Sequence, residues 1–321
     1  MVKMIYQLYG FNLLYDYKIK NLEKYIRNTI DEELPVVEVL VTDSMEDCVD
    51  KAVDINGEHA KAKFSERLCL FELVDGSKIQ ITKEKILMSG ENMNQERVGN
   101  EINGPTIIIL SRYHHRAILH GSAFMYKGKA YLILASPGFG KSTLTTAMIK
   151  NQEEIEFLTD DIICVSEDGT QIFNAIHSVN LNDDSLNVLQ EILRRQKKVD
   201  STLNIYSEKT TCDLNLIRNG KQNTVPLGGI MILSDPINKG TIKIEELDNV
   251  KALFEIVKHI KMRTTITSSF LTQEMGIINK MIRNGEFVVK MQIEHDYNKL
   301  ETITGLIKEY IDINRRSKCE K

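Results

Sequence analysis

The chain has no C-x-x-C spacing, no long apolar run, no surplus of positive charge and no internal repeat or low-complexity block, and each absence removes a class of protein. Its five cysteines, Cys48, Cys69, Cys164, Cys212 and Cys319, are odd in number, dispersed, and without histidines at ligand spacing. That argues against a zinc site or a disulfide framework and fits a reducing compartment. No apolar run approaches the roughly 20 residues needed to span a bilayer, and the first residues lack the charged-then-apolar order of a signal peptide. A cytoplasmic protein with no membrane partner is expected. Lys plus Arg number 41 against 45 for Asp plus Glu, a formal net charge of -4. The basic surplus that neutralises a phosphate backbone is missing, so no nucleic-acid partner is expected.

What is present is an ordinary soluble composition, 42% apolar and 27% charged, over 321 residues, enough for two cores. Residues 1 to about 90 alternate apolar and polar positions in Met4–Leu14, Val36–Val41, Lys61–Val74 and Ile79–Met88. Turn signals such as Asn56-Gly57 and Asp75-Gly76 separate them. A β-rich module is expected there. The polar, glycine-punctuated stretch Gly90–Gly104 marks a boundary, so the expected division is 1–100 for the β-rich module and 101–321 for a second, α/β domain.

In that second part a helix or buried segment is expected over Thr106–Ile118, then two strands about Tyr126-Lys-Gly-Lys129 and a helix from Lys141 to about Lys150. A strand at Ile155–Leu158 and a hairpin about Glu167-Asp168-Gly169 come next. Helical spacing follows at Leu186, Leu189, Ile192 and Leu193; at Leu253, Phe254, Val257 and Ile260 behind Asp248; and at Leu271, Met275, Ile278, Met281 and Ile282 before Asn284-Gly285. A strand at Phe287–Ile293 and a last helix over about Thr302–Ile313 complete the reading.

The most informative stretch is Tyr131-Leu-Ile-Leu-Ala-Ser-Pro-Gly-Phe-Gly-Lys-Ser-Thr143, a buried strand that breaks into a Gly/Pro turn and opens a helix. Glycines let backbone N–H groups converge on phosphate oxygens. The helix N-terminus adds positive potential, the lysine reaches the β- and γ-phosphates, and the hydroxyl after it holds Mg²⁺. Pro137, Gly138, Phe139, Gly140, Lys141, Ser142 and Thr143 are therefore the expected nucleotide-binding residues, with ATP or GTP as ligand. The usual G-x-x-x-x-G-K-[ST] spacing puts its first glycine at 135, where this chain has Ala135.

Phosphoryl transfer asks for metal-bridged phosphates and a group that orients or deprotonates the nucleophile. Asp160-Asp161 closes the next strand, where two adjacent acids suit a division of labour between metal and attacking hydroxyl. His120, before the loop strand, is placed to touch an aspartate or a phosphate.

The pattern Leu119-His-Gly-Ser-Ala123, Gly128-Lys-Ala-Tyr-Leu-Ile-Leu134, Ser136-Pro-Gly-Phe-Gly-Lys-Ser-Thr-Leu144 and Leu158-Thr-Asp-Asp161 resembles the catalytic domain of bacterial HPr kinase/phosphorylase. More closely, it resembles the HPr-kinase-like proteins encoded with ribosomal-peptide maturation genes, some of which phosphorylate lasso-peptide precursors. Tyr6–Leu14, Pro226–Leu233 and Phe287–Ile293 resemble further strands of that subgroup. The resemblance implies an α/β fold with a P-loop domain and mixed sheet, shared with ATP-dependent phosphoenolpyruvate carboxykinase, after a smaller β-rich domain. It further implies ATP and Mg²⁺ as cofactors, Lys141 and Ser142 on phosphate and metal, Asp160 as general base, Asp161 assisting the metal and His120 supporting the aspartate. Lys209 and Arg263 resemble basic, substrate-facing positions of the subgroup. Besides Ala135, Ser136 departs from the pattern, standing where typical HPr kinases have an acid.

The expected activity is ATP- and Mg²⁺-dependent transfer of the γ-phosphoryl group to a serine hydroxyl of a peptide or small protein, with a homo-oligomer an open possibility. Alternatives are a small-molecule kinase acting on free serine or a sugar, and a nucleotide-sensing partner without catalysis. No Leu-Ser-Gly-Gly signature of an ABC-type ATPase occurs.

Overall fold

The computed structural model describes residues 3–45, 52–55, 58–152, 154–176, 178–181, 185, 201–203, 210–213, 223–237, 240–263 and 267–319. The chain packs as two compact units, Met1–Ile118 with Lys261–Glu274, and Leu119–Ile260 with Met275–Lys321. The class is α/β, with a mixed sheet in the second unit and a β-rich N-terminal region.

The first unit carries a nine-stranded sheet in the order β3-β1-β2-β4-β9-β8-β7-β6-β5. Its strands are β1 (Met4–Leu8), β2 (Phe11–Tyr15), β3 (Ile26–Arg27), β4 (Val36–Val41), β5 (Ala52–Ile55), β6 (Glu58–Phe64), β7 (Cys69–Glu72), β8 (Lys78–Ile81) and β9 (Lys85–Ser89). Three of the expected segments each contain two strands, because a short turn interrupts them. Tyr9 and Gly10 both take positive φ, 52° and 73°, which closes a two-residue hairpin. Ser65 accepts the Leu68 amide on its hydroxyl at 3.0 Å, and Thr82 does the same for Lys85 at 3.1 Å.

The polar stretch expected as a boundary holds helix α1 (Gln95–Glu101), begun by Asn94 accepting the Arg97 amide at 2.9 Å, and Val98 and Gly99 are buried. After an irregular turn at Asn103 and Gly104, helix α2 (Ile107–Tyr113) is buried along its length. Arg112 on α2 is fully buried and pairs with Glu274 at 3.3 Å. Its guanidinium also donates to the Lys261 carbonyl, while Glu274 accepts the Ile118 amide at 3.1 Å. Burial pushes the Glu274 carboxyl pKa up against the opposing pull of Arg112.

In the second unit the sheet runs β14 (Ile163–Val165), β15 (Gln171–Phe173), β19 (Thr224–Leu233), β12 (Lys129–Leu134), β11 (Gly121–Tyr126) and β13 (Ile155–Thr159). Strand β21 (Val288–Ile293) pairs with β19 and with β20 (Ile242–Glu246). The β12/β19 and β19/β21 pairings are parallel and the rest antiparallel. Strand β10 (Ala117–Leu119) precedes β11, and a separate small sheet joins β16 (Ser178–Leu181), β17 (Ser201–Leu203) and β18 (Thr210–Asp213).

One sheet face contributes Phe124, Tyr126, Tyr131, Ile133, Met231, Leu233, Val289 and Met291 at alternate positions to the core. Leu144 and Met148 of helix α3 (Lys141–Asn151) cover it, with Ile303, Ile307 and Ile311 of the last helix, α6 (Leu300–Cys319), at the i, i+4 spacing of a buried stripe. Helix α4 (Asn249–Val257) is capped by Asp248, whose carboxylate accepts the Val250 and Lys251 amides at 3.1 and 2.9 Å. Its buried face is Ala252 and Ile256, so the expected face was rotated by a position and Phe254 stands 69% exposed. Helix α5 (Ser268–Asn284) buries Ile277, Ile278, Met281 and Ile282 and ends with the Gly285 amide on the Met281 carbonyl. The spacing at Leu186–Leu193 falls outside the described residues.

Candidate active site

The phosphate loop follows from its sequence step by step. Strand β12 is entirely apolar from Ala130 to Leu134 and is paired on both edges, so its C-terminal end is fixed in the sheet. Ala135 is buried and belongs to the same core cluster as Leu144 and Met148. The position that usually carries the first glycine serves here as a packing residue, and the turn is made by residues 136–140. Ser136, Pro137 and Gly138 are exposed. Phe139 packs partly against the core and anchors the loop from its far side. Gly140 takes φ 79°, ψ 18°, a left-handed conformation that only glycine adopts at no steric cost, directly before α3. The Leu144 amide bonds back to the Gly140 carbonyl at 2.8 Å, so α3 starts with its free N–H groups at the loop.

Ser142, in the first turn of α3, donates its hydroxyl to both Asp160 oxygens, at 3.1 and 2.9 Å. Thr143 shares a 2.7 Å bond with the Ser185 hydroxyl. Asp160 is 8% exposed at the end of β13, and Ser122 on β11 also donates to it. Asp161 behaves differently. Its φ is 73°, and the Ile162 amide bonds the Asp160 carbonyl at 3.0 Å. That combination describes a γ-turn with a positive central φ, a rare and strained conformation that clusters at functional sites. The Asp161 carboxylate has a different partner from that of Asp160: its oxygen meets His120 Nδ1 at 2.9 Å with the side chain 40% exposed.

His120 is held from the backbone side, because its amide donates to the His259 carbonyl at 2.7 Å. Burial, with the nearby His120 and Lys141 adding to it, lowers the His259 imidazole pKa to about 4, so this ring is neutral at neutral pH.

The structure thus brings together His120, Ser142, Asp160 and Asp161 on the same edge as the loop, and the two acids are partnered the other way round from the expectation. Asp160 engages the loop serine, and Asp161 engages His120. Arg263 is exposed and belongs to the first unit, and Lys209 lies outside the described residues. Two neighbours were not singled out from the sequence. Ser122 lay in the His120 block, and its two-residue offset along a strand was the available signal. His259 had none, since it arrives from a distant helix end.

A divalent cation fits this donor set: a hydroxyl and a buried carboxylate beside a glycine turn at a helix start, the few protein oxygens by which Mg²⁺ is held when phosphates and waters supply the rest. Among the described residues no group of three or more His, Cys, Asp and Glu side chains could hold a metal by itself, and no helix is long and apolar enough to cross a membrane.

No family model matches the chain, and no curated protein matches it. Among solved structures it is similar to the Hpr(Ser) kinase/phosphatase from Coxiella burnetii, at 14% identity and a TM-score of 0.30, over 64% of this chain and 99% of that one.

Proposed function

We propose that this protein is an ATP- and Mg²⁺-dependent kinase that transfers the γ-phosphoryl group to a serine hydroxyl of a peptide or small protein. The observation that carries the reading is the pair of adjacent acids with separate partners, Asp160 on the loop serine and Asp161 on a histidine. A purely structural Asp-Asp turn needs neither.

In this reading Lys141 and the amides of residues 138–143 bind the β- and γ-phosphates. Ser142 and Asp160 hold the metal, which supplies charge neutralisation across the phosphates when bound. Ser142 is the donor in its bond to Asp160, so its oxygen lone pairs stay free for that role. Asp161, oriented by His120 and more exposed than its neighbour, accepts the proton of the serine hydroxyl. The acceptor oxygen forms its bond to the γ-phosphorus, the bond to the β–γ bridging oxygen breaks, and ADP leaves with that oxygen's electron pair. The exposure of residues 136–138 suits an acceptor carried on a larger chain.

The test is incubation with labelled ATP and Mg²⁺ against a serine-ended precursor peptide, HPr and free serine, using the native chain, Asp161→Asn and Asp160→Asn. Transfer to a peptide or protein is expected. Asp161→Asn should lose it by about 10²-fold or more while still binding magnesium nucleotide, the size typical of a lost general base. Asp160→Asn should weaken magnesium nucleotide binding itself. Label on free serine alone would move the acceptor to a small molecule, and nucleotide binding with no transfer to any acceptor would make the protein a sensor.

A further inference from the structure

We propose that Ser122 is a positioning residue, whose hydroxyl fixes the Asp160 carboxylate in the orientation from which it holds magnesium nucleotide with Ser142. The proposal rests on the reading above that Ser142 and Asp160 form the metal side of the site, and it gives a role to a side chain that the motif leaves without one.

The argument begins with strand register. Along most of the β11/β13 ladder the partners are Tyr126 with Ile155, Met125 with Glu156 and Phe124 with Phe157. Continued at that register, Ser122 would face Thr159. A bulge intervenes between Ala123 and Phe124, one residue of β13 is left over at Leu158, and Ala123 pairs with Thr159 instead. Extended one step past the end of β13, the shifted register sets Ser122 against Asp160, in agreement with the side-chain bond between them. Because side chains alternate faces, a single residue of shift decides which of them meets the hydroxyl.

The contact that results is buried and directional. Ser122 is fully buried, and its hydroxyl donates to Asp160 Oδ1. An ionised carboxylate only accepts, so the serine must be the donor and its single proton is committed there. Ser142 spreads its own proton over both Asp160 oxygens and does not by itself choose between rotamers of the carboxylate. Ser122, committed to Oδ1 alone, favours one of them. The backbone under Ser122 is equally constrained: it pairs with Ile133 of β12 on one side, and the preceding Gly121 has no room for any side chain.

The test compares the native chain, Ser122→Ala and Ser122→Cys by calorimetric titration with ADP, with and without Mg²⁺, beside thermal unfolding without ligand. Asp160 Oδ1 keeps its bond to Ser142 in either variant, so both should fold. In Ser122→Ala the gain in ADP affinity from Mg²⁺ should shrink by about tenfold, the scale of one hydrogen bond to a charged group. Metal-free ADP affinity should stay within about twofold by the same reasoning, since the loop amides are untouched. The weak thiol donor of Ser122→Cys should give an intermediate value. A magnesium gain equal to the native one in Ser122→Ala overturns the positioning role, as does an equal loss with and without metal, which would mark a structural contribution only. A native chain that binds nucleotide without any magnesium gain overturns the metal reading itself, and the positioning role with it.

Discussion

Each unit of this protein buries a carboxylate, one paired with a cation and one, at the proposed active site, bonded to serine hydroxyls. In the first unit Glu274 is fully buried and meets a full opposite charge on Arg112, 162 residues away in sequence. In the second unit Asp160 is almost as buried, and its partners include the hydroxyls of Ser122 and Ser142. A guanidinium cancels the carboxylate charge and leaves nothing for a ligand. Hydroxyl donors orient a carboxylate without themselves carrying an opposite charge, which suits the metal-holding role proposed for Asp160. The lesson is that the type of partner, more than depth of burial, distinguishes a staple from a site.

The largest expected effect attacks the staple. Arg112→Ala leaves Glu274 buried without its cation and should cost about 3–5 kcal/mol of stability in chemical denaturation of the full chain. Arg112 Nη1 and Glu274 Oε2 find no hydrogen-bond partner among the described residues, so the pair is imperfectly satisfied. Replacing both, as Arg112→Met with Glu274→Leu, should therefore recover most of that loss. An Arg112→Ala chain as stable as the native one would dissolve the distinction, because the carboxylate would then need no cation.

A second effect sharpens the contrast through pH. Burial holds the His259 pKa near 4, against 6.5 for the free side chain. Between those values the unfolded chain binds a proton that the folded chain refuses, so stability is lost as pH falls from about 6.5 toward 4. The full loss from this group is about 3 kcal/mol, since each tenfold difference in proton affinity between the folded and unfolded chain corresponds to about 1.4 kcal/mol. His259→Gln should flatten that part of the stability profile, read as the difference between native and variant midpoints at pH 7 and pH 4.5. His114 in the first unit is also lowered to about 4 by burial, so a residual slope in the variant is expected from that side. A native and a variant profile that run parallel would show that the ring beneath His120 is not held neutral by the fold.

The strand-turn-helix geometry about residues 131–143 was legible because it is contiguous: a strand, a glycine turn and a helix start follow one another in thirteen residues, and each is dictated by local chemistry. The hairpin at Lys127-Gly128, with φ of 49° and 75°, was legible for the same reason. The partnering of the two acids was not, because it turns on a single extra residue at Leu158 and on the backbone of Asp161, and neither leaves a mark in residue type. Phe254 shows another limit. Helical periodicity located α4, but the apolar stripe it suggested is offset from the face that Ala252 and Ile256 bury. Arg112 and Glu274 were invisible as a pair for the simplest reason, since nothing local links residues so far apart.

The smallest expected effect tests whether the site region tolerates any slack at all. A methyl group added at Gly121 would lie 2.6 Å from Leu134 Cδ2, 2.7 Å from Ile163 Cδ1 and 2.9 Å from the Ile133 carbonyl. The two side-chain contacts can shift, but the carbonyl belongs to the β11/β12 ladder and cannot move without loosening the strand that ends in the phosphate loop. Gly121→Ala should therefore cost about 1–3 kcal/mol, the usual range for overpacking a core. Because Gly121 sits between His120 and Ser122, a shift of its backbone moves the partners of both acids together. The proposed phosphoryl transfer should then fall by more than the stability loss explains, at a temperature where the variant is still folded. A variant destabilised as expected but fully active would show that the carboxylates hold their positions independently of this strand, and that the site is less tightly built than the staple in the other unit.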